Sequence, residues 1–341
     1  SLKKNTLPEI KKGNYNLNDY CGYSIDPFEV NFNYPKKFKN KNYILSVIIP
    51  TYNNGKFLLG KAFASLLRSS IFKQMHIIII DDGSDDADTI YIIKELTKSY
   101  SNVTSYFFND GGSGSASRAR DKGVELSAEK YVTFLDPDNE AVNDGYSGLL
   151  KIIKKYECDV VFGDIIKIDN SIKRFNYLMS SQFINNPKEF LVSNNFKPQS
   201  IQALIVRREL ITSNNIKNPI GALGQDSLFF YQLMIYAKNA YYYKNVIHLY
   251  YAARTGSVIN SLDSNFFKKF LMLELYQVDV LKKHDLFDEY IKKRFSYFLK
   301  NWYLNKLTLV KTENEKIKSE KIIKKISALY NSADNIKEDK I

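Results

Sequence analysis

The chain has 341 residues, a net charge of +12, two cysteines and three histidines. A hydrophobic fraction of 44% with 14% aromatics argues for a packed core and against a largely disordered chain. Cys21 and Cys158 form neither metal spacing nor a disulfide framework, the three histidines argue against a multi-histidine zinc site, and no apolar run approaches the roughly 18 residues of a membrane span.

Residues 1–43 are polar, rich in Asn and Lys, and show no sustained period; they read as an extension with scattered aromatics such as Tyr15, Tyr20 and Phe28. The chain opens with Ser1 and shows no secretory leader, so a piece of a longer protein working in a reducing cytoplasm is expected. From Ile44 the pattern becomes regular. Ile44 to Ile49 reads as a buried strand, Lys56 to Ser70 as a helix, and Met75 to Ile80 as a second strand. A helix is predicted over Asp86 to Tyr100, a strand over Val103 to Phe108, and a helix over Ala116 to Leu126. A strand from Tyr131 then leads to Asp136. This alternation predicts an α/β fold, a mostly parallel Rossmann-like sheet with helices on both faces. Beyond Asn143 it loosens. A helix over Gly145 to Tyr156, a strand over Asp159 to Ile168 and a helix over Asp226 to Lys238 are predicted, with Phe196 to Gly224 irregular. Residues 44–260 are read as one catalytic domain, with 44–140 binding nucleotide and 141–260 facing the acceptor. Residues 261–341 read as basic amphipathic helices, with a packing stripe at Phe287, Ile291, Phe295, Phe298 and Trp302. Their lysines, among them Lys316, Lys318, Lys321, Lys324 and Lys325, are solvated helix faces on the plainer reading. On the sharper one they attract an anionic membrane surface. No nucleic-acid-binding motif accompanies the charge, so no nucleic acid partner is expected.

The strand ends hold the chemistry. The first ends in Pro50, Thr51, Tyr52, Asn53 and Asn54, and the second in Asp81, Asp82, Gly83 and Ser84. The third runs into Asn109-Asp110-Gly111-Gly112-Ser113-Gly114, followed by Ser117, Arg118 and Arg120. The fourth ends in Asp136-Pro137-Asp138, two carboxylates two positions apart that can converge on one spot. In a parallel sheet all four loops share the edge where ligands bind. A carboxylate there accepts from an imide or ribose hydroxyl, an aromatic stacks on a base, and a Gly/Ser loop at a helix N-terminus favours anions. Arginine forks suit phosphates, and paired carboxylates suit Mg²⁺ or Mn²⁺ on a diphosphate. The parts together suit a nucleoside diphosphate.

Their order and wording, Val47 to Asn53, Ile80 to Ser84, Ser117 to Gly123 and Phe134 to Asn139, resemble family 2 glycosyltransferases of the GT-A fold. The likeness is close over 44–170 and weaker to about 260. It implies that Pro50, Thr51, Tyr52, Asn53 and Asp82 or Asp81 surround the base, that Arg120 lies near the nucleotide, and that Asp136 supports Asp138 as metal ligand. Asp121 departs from the family's usual Asn, and Arg118 replaces a common Ala, so its charge serves the donor diphosphate or a neighbouring carboxylate. Inverting transfer needs a carboxylate to take the acceptor's proton. Asp226, in Gly224-Gln225-Asp226, matches the family's base, with Gln225 where Glu is usual; a helix-capping Asp is the plain alternative. Asp144, Asp164 and Asp169 are weaker rivals. Arg254, in Tyr250 to Ser257, matches a segment that contacts the diphosphate. His248 reads as a packed core residue rather than a metal ligand.

The expectation is a metal-dependent inverting glycosyltransferase with Mn²⁺ or Mg²⁺. It would use a UDP-sugar donor and a glycan, lipid-linked or protein acceptor in bacterial surface-glycan synthesis, with possible peripheral contact at the inner membrane face. The rivals are a silent GT-A-like binding module and a sugar nucleotidyltransferase. The latter wants a Gly-rich basic loop after strand one, where Pro-Thr-Tyr-Asn-Asn stands. A P-loop Gly-Lys-Ser/Thr and a Gly-x-Gly-x-x-Gly first turn are both absent.

Overall fold

A computed structural model describes residues 42–169, 171–252 and 262–331. The extension up to residue 41 and Arg254 lie outside these residues. The strands are β1 (Leu45–Thr51), β2 (Met75–Asp81), β3 (Val103–Phe107), β4 (Tyr131–Phe134), β5 (Glu140–Ala141), β6 (Val160–Ile168), β7 (Ile172–Phe175), β8 (Gln182–Ile184), β9 (Leu204–Arg207) and β10 (Ala240–Tyr251). The helices are α1 (55–67), α2 (Ala87–Ser99), α3 (Ser117–Leu126), α4 (Gly145–Lys155), α5 (Pro187–Ser193), α6 (Arg208–Ser213), α7 (Gln225–Tyr236), α8 (Ser264–Lys283), α9 (287–307) and α10 (Glu313–Leu329).

One sheet runs β3-β2-β1-β4-β9-β6-β10-β5, with β7 on β6 and β8 on β10. β1 pairs in parallel with β2 and β4, and β2 with β3, so their carboxyl ends share one edge. β9 is antiparallel to both β4 and β6 and joins the β1–β4 half of the sheet to the rest. Here the expectation of an irregular 196–224 fails. Leu204–Arg207 is a central strand, too short to show a period and set between a one-turn helix (Ile201–Ala203) and α6.

The buried strands explain the two cores. Leu45, Val47 and Ile49 of β1 face Leu58, Phe63, Ile92 and Ile93 on α1 and α2, and Leu149 and Ile153 on α4 join the same core. Ile48 points the other way, with Val124 of α3, Phe229 and Phe230 of α7, and Phe266, Phe267 and Phe270 of α8. Alternation along each strand therefore lines two apolar faces, each covered by helices. The C-terminal helices complete the second core: Phe295 and Ile326 are buried in it, while Phe287, Ile291, Phe298 and Trp302 pack against it. The expected stripe is packing. Lys318, Lys321, Lys324 and Lys325 are exposed on α10, opposite buried Ile322, Ile323 and Ile326. No helix among the described residues is long and apolar enough to cross a membrane.

Candidate active site

The four loops meet at the carboxyl edge of β1–β4. Asn53 sits at a φ of 50°, a backbone region Asn tolerates. Its amide donates to Ser84 Oγ at 2.9 Å, and its side chain ties to Asp85 and to the amide of Asp86. Thr51 is buried, and its carbonyl accepts from the Asp82 amide at 2.8 Å. Asn53 and Thr51 thus staple the first loop to the second. Gly83 (φ 87°) packs backbone to backbone on Gly111, where any β-carbon would come within 2.7 Å.

Both aspartates of the second loop bind the chain itself. Asp81 accepts from the amides of Gly83 and Ser84 and from the Ser84 hydroxyl. Burial raises its carboxyl above the ordinary value, opposed by those hydrogen bonds. Asp82 accepts from the amide and hydroxyl of Ser113, each at 2.8 Å, and from Arg118 Nε at 2.8 Å. Arg118 also donates to Asp110 and to the carbonyls of Asp82 and Gly111, and its guanidinium lies 4.0 Å from the Phe108 ring centroid. Arg118 therefore faces neighbouring carboxylates and holds the Gly/Ser loop in shape. Tyr52 remains 48% exposed, its ring abutting Gly112. It is the aromatic surface this edge presents.

Arg120 is the centre of the site. It is 2% exposed and donates to Asp136 Oδ1 at 2.8 Å through one arm and to Asp226 Oδ1 through the other. Burial opposes its charge, but Asp136 and Asp226 outweigh burial and hold its pKa above the ordinary value. One buried cation thereby joins the end of β4 to the first turn of α7. Asp226 has no capping role: the N-cap is Gly224, without a side-chain cap bond, and the carboxylate turns to Arg120. Burial raises the Asp226 pKa; Arg120 opposes this and the charge of Asp136 reinforces it. The loop before α7 is fixed from α3. Asn218 donates to Asp121, Ser117 Oγ to the Pro219 carbonyl, and the Gly221 amide to Ser115 Oγ. Asp121 is therefore a structural anchor.

Sequence reading passed over Gln202 and carried Tyr250 only as the start of the expected diphosphate segment. Gln202 accepts from the Asp136 amide at 2.8 Å and donates to Asp136 Oδ2 at 2.9 Å. Tyr250 sits on β10, where burial and then the charges of Asp136, Asp138 and Asp226 push its phenol pKa up. Adjacent Tyr251 is pinned to the turn after Asp138, its amide donating to Asn139 and its hydroxyl to Glu140. The rival carboxylates are committed elsewhere: Asp164 to Arg174 and Tyr242, Asp144 to Ser69 and Ser70, Asp169 to Lys167 and Ser171. His248 is fully buried, and burial takes its pKa down to about 4, with Asp136 opposing. A cleft of about 470 Å³ opens over these groups, lined by Arg120, Asp136, Asp226 and Tyr250 together with Phe175 and Lys197.

For a divalent cation the chain offers part of a coordination sphere. No cluster of three His, Cys, Asp or Glu exists among the described residues. Asp136 has both oxygens engaged by Arg120 and Gln202; Asp138, half-buried two positions on, is the second carboxylate that could serve as a ligand. That set fits Mg²⁺ or Mn²⁺, which commonly complete their shell with substrate phosphates and water.

Comparison with known proteins agrees with this fold. Residues 46–210 match the model of Glycosyl transferase family 2. An uncharacterized Escherichia coli glycosyltransferase, YibD, is 30% identical over 224 residues, 62% of this chain and 62% of that protein, so the chain spans less than two thirds of it. A Campylobacter jejuni GalNAc(5)-diNAcBac-PP-undecaprenol beta-1,3-glucosyltransferase is 26% identical over 238 residues, 69% of this chain and 73% of that protein. The crystal structure of S. aureus TarS residues 1-349 with UDP-GlcNAc superposes with a TM-score of 0.68 at 14% identity, covering 84% of this chain and 82% of that one. At that identity the likeness speaks to fold, which is GT-A-like. Residues 46–210 thus form a glycosyltransferase family 2 domain.

Proposed function

We propose that the protein transfers a sugar from a UDP-sugar to a hydroxyl of a surface-glycan acceptor, with inversion, on the cytoplasmic side of the membrane. The observation that carries this reading is the Arg120 bridge, which sets Asp226 beside Asp136 at the end of β4 in one cleft. In the reaction the acceptor O–H gives its proton to Asp226 as its oxygen bonds to the anomeric carbon. The bond from that carbon to the diphosphate oxygen breaks, and UDP leaves with the electron pair. Arg120 opposes the burial that raises the Asp226 pKa and aims its carboxylate, and Tyr52 supports the nucleobase. A metal held by Asp138, with Asp136 behind it, would supply positive charge to the departing diphosphate. Support for a UDP-sugar and a surface glycan comes from the relatives: TarS was solved with UDP-GlcNAc, and the Campylobacter enzyme's name gives a polyprenol-linked glycan acceptor. The exposed lysines of α10 suit contact with an anionic bilayer.

The test is UDP release from a panel of UDP-sugars with Mn²⁺, with Mg²⁺ and with EDTA. Metal-dependent turnover of one donor is expected. No turnover and no UDP binding by calorimetry would sink the reading.

A further inference from the structure

β7 is an edge strand whose four side chains are all exposed, and Phe175 at its end stands 46% open to solvent. A single exposed Phe on an edge strand is ordinary. This one is unusual in two respects. It lines the same cleft as Asp226, Asp136 and Tyr250. Its backbone is also held firmly on both sides. Before it, Arg174 donates to Asp164 Oδ2 at 2.7 Å, and Asp164 is itself fully buried and bound by Tyr242. After it, Lys197 Nζ donates to the carbonyl of Asn176 at 2.9 Å and to that of Tyr177 at 3.3 Å. In register, Phe175 sits opposite Ile165, another cleft residue. None of the ring contacts among the described residues involves Phe175, whereas nearby Tyr177 stacks on Phe190 at 5.7 Å. A large apolar ring is thus presented on a fixed backbone inside the cleft that holds the two carboxylates.

We propose that Phe175 is the platform on which the acceptor's sugar ring stacks, and so a specificity-determining residue for the hydroxyl activated by Asp226. The inference rests on the glycosyl-transfer reading above. A pyranose has one face of C–H groups and a rim of hydroxyls. The C–H face suits the negative face of an aromatic ring, while the rim stays free to reach the carboxylates. The ligand class is a hexopyranose unit of the acceptor glycan, rather than a peptide or lipid chain.

The experiment uses the full chain with methyl β-D-glucoside, methyl β-D-galactoside and methyl β-D-N-acetylglucosaminide as probes, in the presence of the UDP-sugar the enzyme turns over. One glycoside is expected to raise UDP release above acceptor-free hydrolysis. Phe175→Ala should raise its KM about ten-fold, a loss of the size of one aromatic contact. Donor KM and acceptor-free hydrolysis should not move, and Phe175→Tyr should restore the acceptor KM. Phe175→Trp adds a second indole to a chain whose one native tryptophan is Trp302, and its emission should shift on titration with the same glycoside. An unchanged acceptor KM in Phe175→Ala would overturn the proposal. So would an unshifted indole up to on the order of 50 mM of all three glycosides. Absence of UDP binding in the wild-type chain would overturn the transfer reading separately, and the indole titration would still decide whether the ring binds a sugar.

Discussion

Gln202 holds Asp136 by two atoms at once, its carbonyl oxygen on the aspartate amide and its amide nitrogen on the aspartate carboxylate. The same carbonyl oxygen also accepts from Asn139 Nδ2 at 3.1 Å, so one side chain spans the Asp136 to Asn139 turn. Gln202 is in turn fixed through its own carbonyl, which accepts from the buried Tyr146 hydroxyl at 3.0 Å. Gln202→Ala should leave the fold intact and lower kcat/KM about 10- to 100-fold, as loss of a ligand-orienting partner does. Gln202→Glu should do worse, because it sets a second carboxylate against Asp136 Oδ2. Metal-dependent UDP binding by calorimetry, beside steady-state rates, checks both. Equal rates in all three proteins would refute the role.

Arg120 neutralises two carboxylates from a buried position. Arg120→Ala leaves Asp136 and Asp226 facing each other with no cation between them. Losing one partner of such a buried network costs about 3–5 kcal/mol. A urea or thermal unfolding series should show that loss, and the double variant with Asp226→Asn should recover part of it. No recovery would mean that the two carboxylates do not repel.

These predictions draw on residues of very different legibility. β1, β2 and β4 were readable because parallel strands buried on both faces are near-continuous apolar runs that end in Asp, Asn and Gly. Asp136 and Asp138 stood out as two carboxylates two positions apart at a strand's carboxyl end, and Asp226 through its match to the family's base. Gln202 was invisible: it lies in a one-turn helix between a polar stretch and a four-residue strand, and its partner Asp136 is 66 residues away in sequence. Arg118 shows the opposite gap. Its fork marked a basic residue at the donor edge, yet only the packing of Asp82, Asp110 and Phe108 around it shows that the charge organises the loop.

Arg118→Ala should therefore loosen the second and third loops without unfolding the chain. UDP affinity is expected to fall several-fold, because the loop must be ordered on binding and side-chain ordering costs about 0.5–1.5 kcal/mol per group. Arg118→Lys should rescue little, since an ammonium cannot reproduce the fork that spans Asp82 and Asp110. Calorimetry of UDP binding decides this, and full retention of affinity in Arg118→Ala would refute it.

The ionisation of Asp226 sets a pH dependence with two signs. Its folded pKa is raised, by burial first. Its contribution to stability is therefore fully present below the unfolded value and is lost as pH rises through the folded value. Activity runs the other way, since only the ionised form takes the acceptor's proton. The acid limb of kcat should lie above the ordinary aspartate range, and over the same interval urea resistance should decline as pH rises. Asp226→Asn should remove that component of the stability profile and cut transfer by about 10²- to 10⁴-fold while keeping UDP binding. Loss of UDP binding in the folded variant would move Asp226 to the donor site.

Gly224 links the C-terminal helices to this chemistry. It holds a φ of 80° immediately before α7, and a β-carbon there would lie 2.9 Å from Leu273 Cδ2 and 2.9 Å from Phe270 Cε1, both on α8. Gly224→Ala adds left-handed strain of about 1–2 kcal/mol and a clash that only α8 or the start of α7 can relieve. A shift at the start of α7 displaces Asp226, two residues on, from Arg120. The expected variant is folded with a lower melting temperature, binds UDP normally and has a reduced kcat. If the strain were relieved away from the site, Leu273→Ala in the same chain would restore stability and leave kcat untouched. If α7 is what moves, the added space should restore both. The second outcome is expected, because Leu223 and Gly224 line the cleft with Asp226 and the loop before them is tied down by Asp121, Ser117 and Ser115.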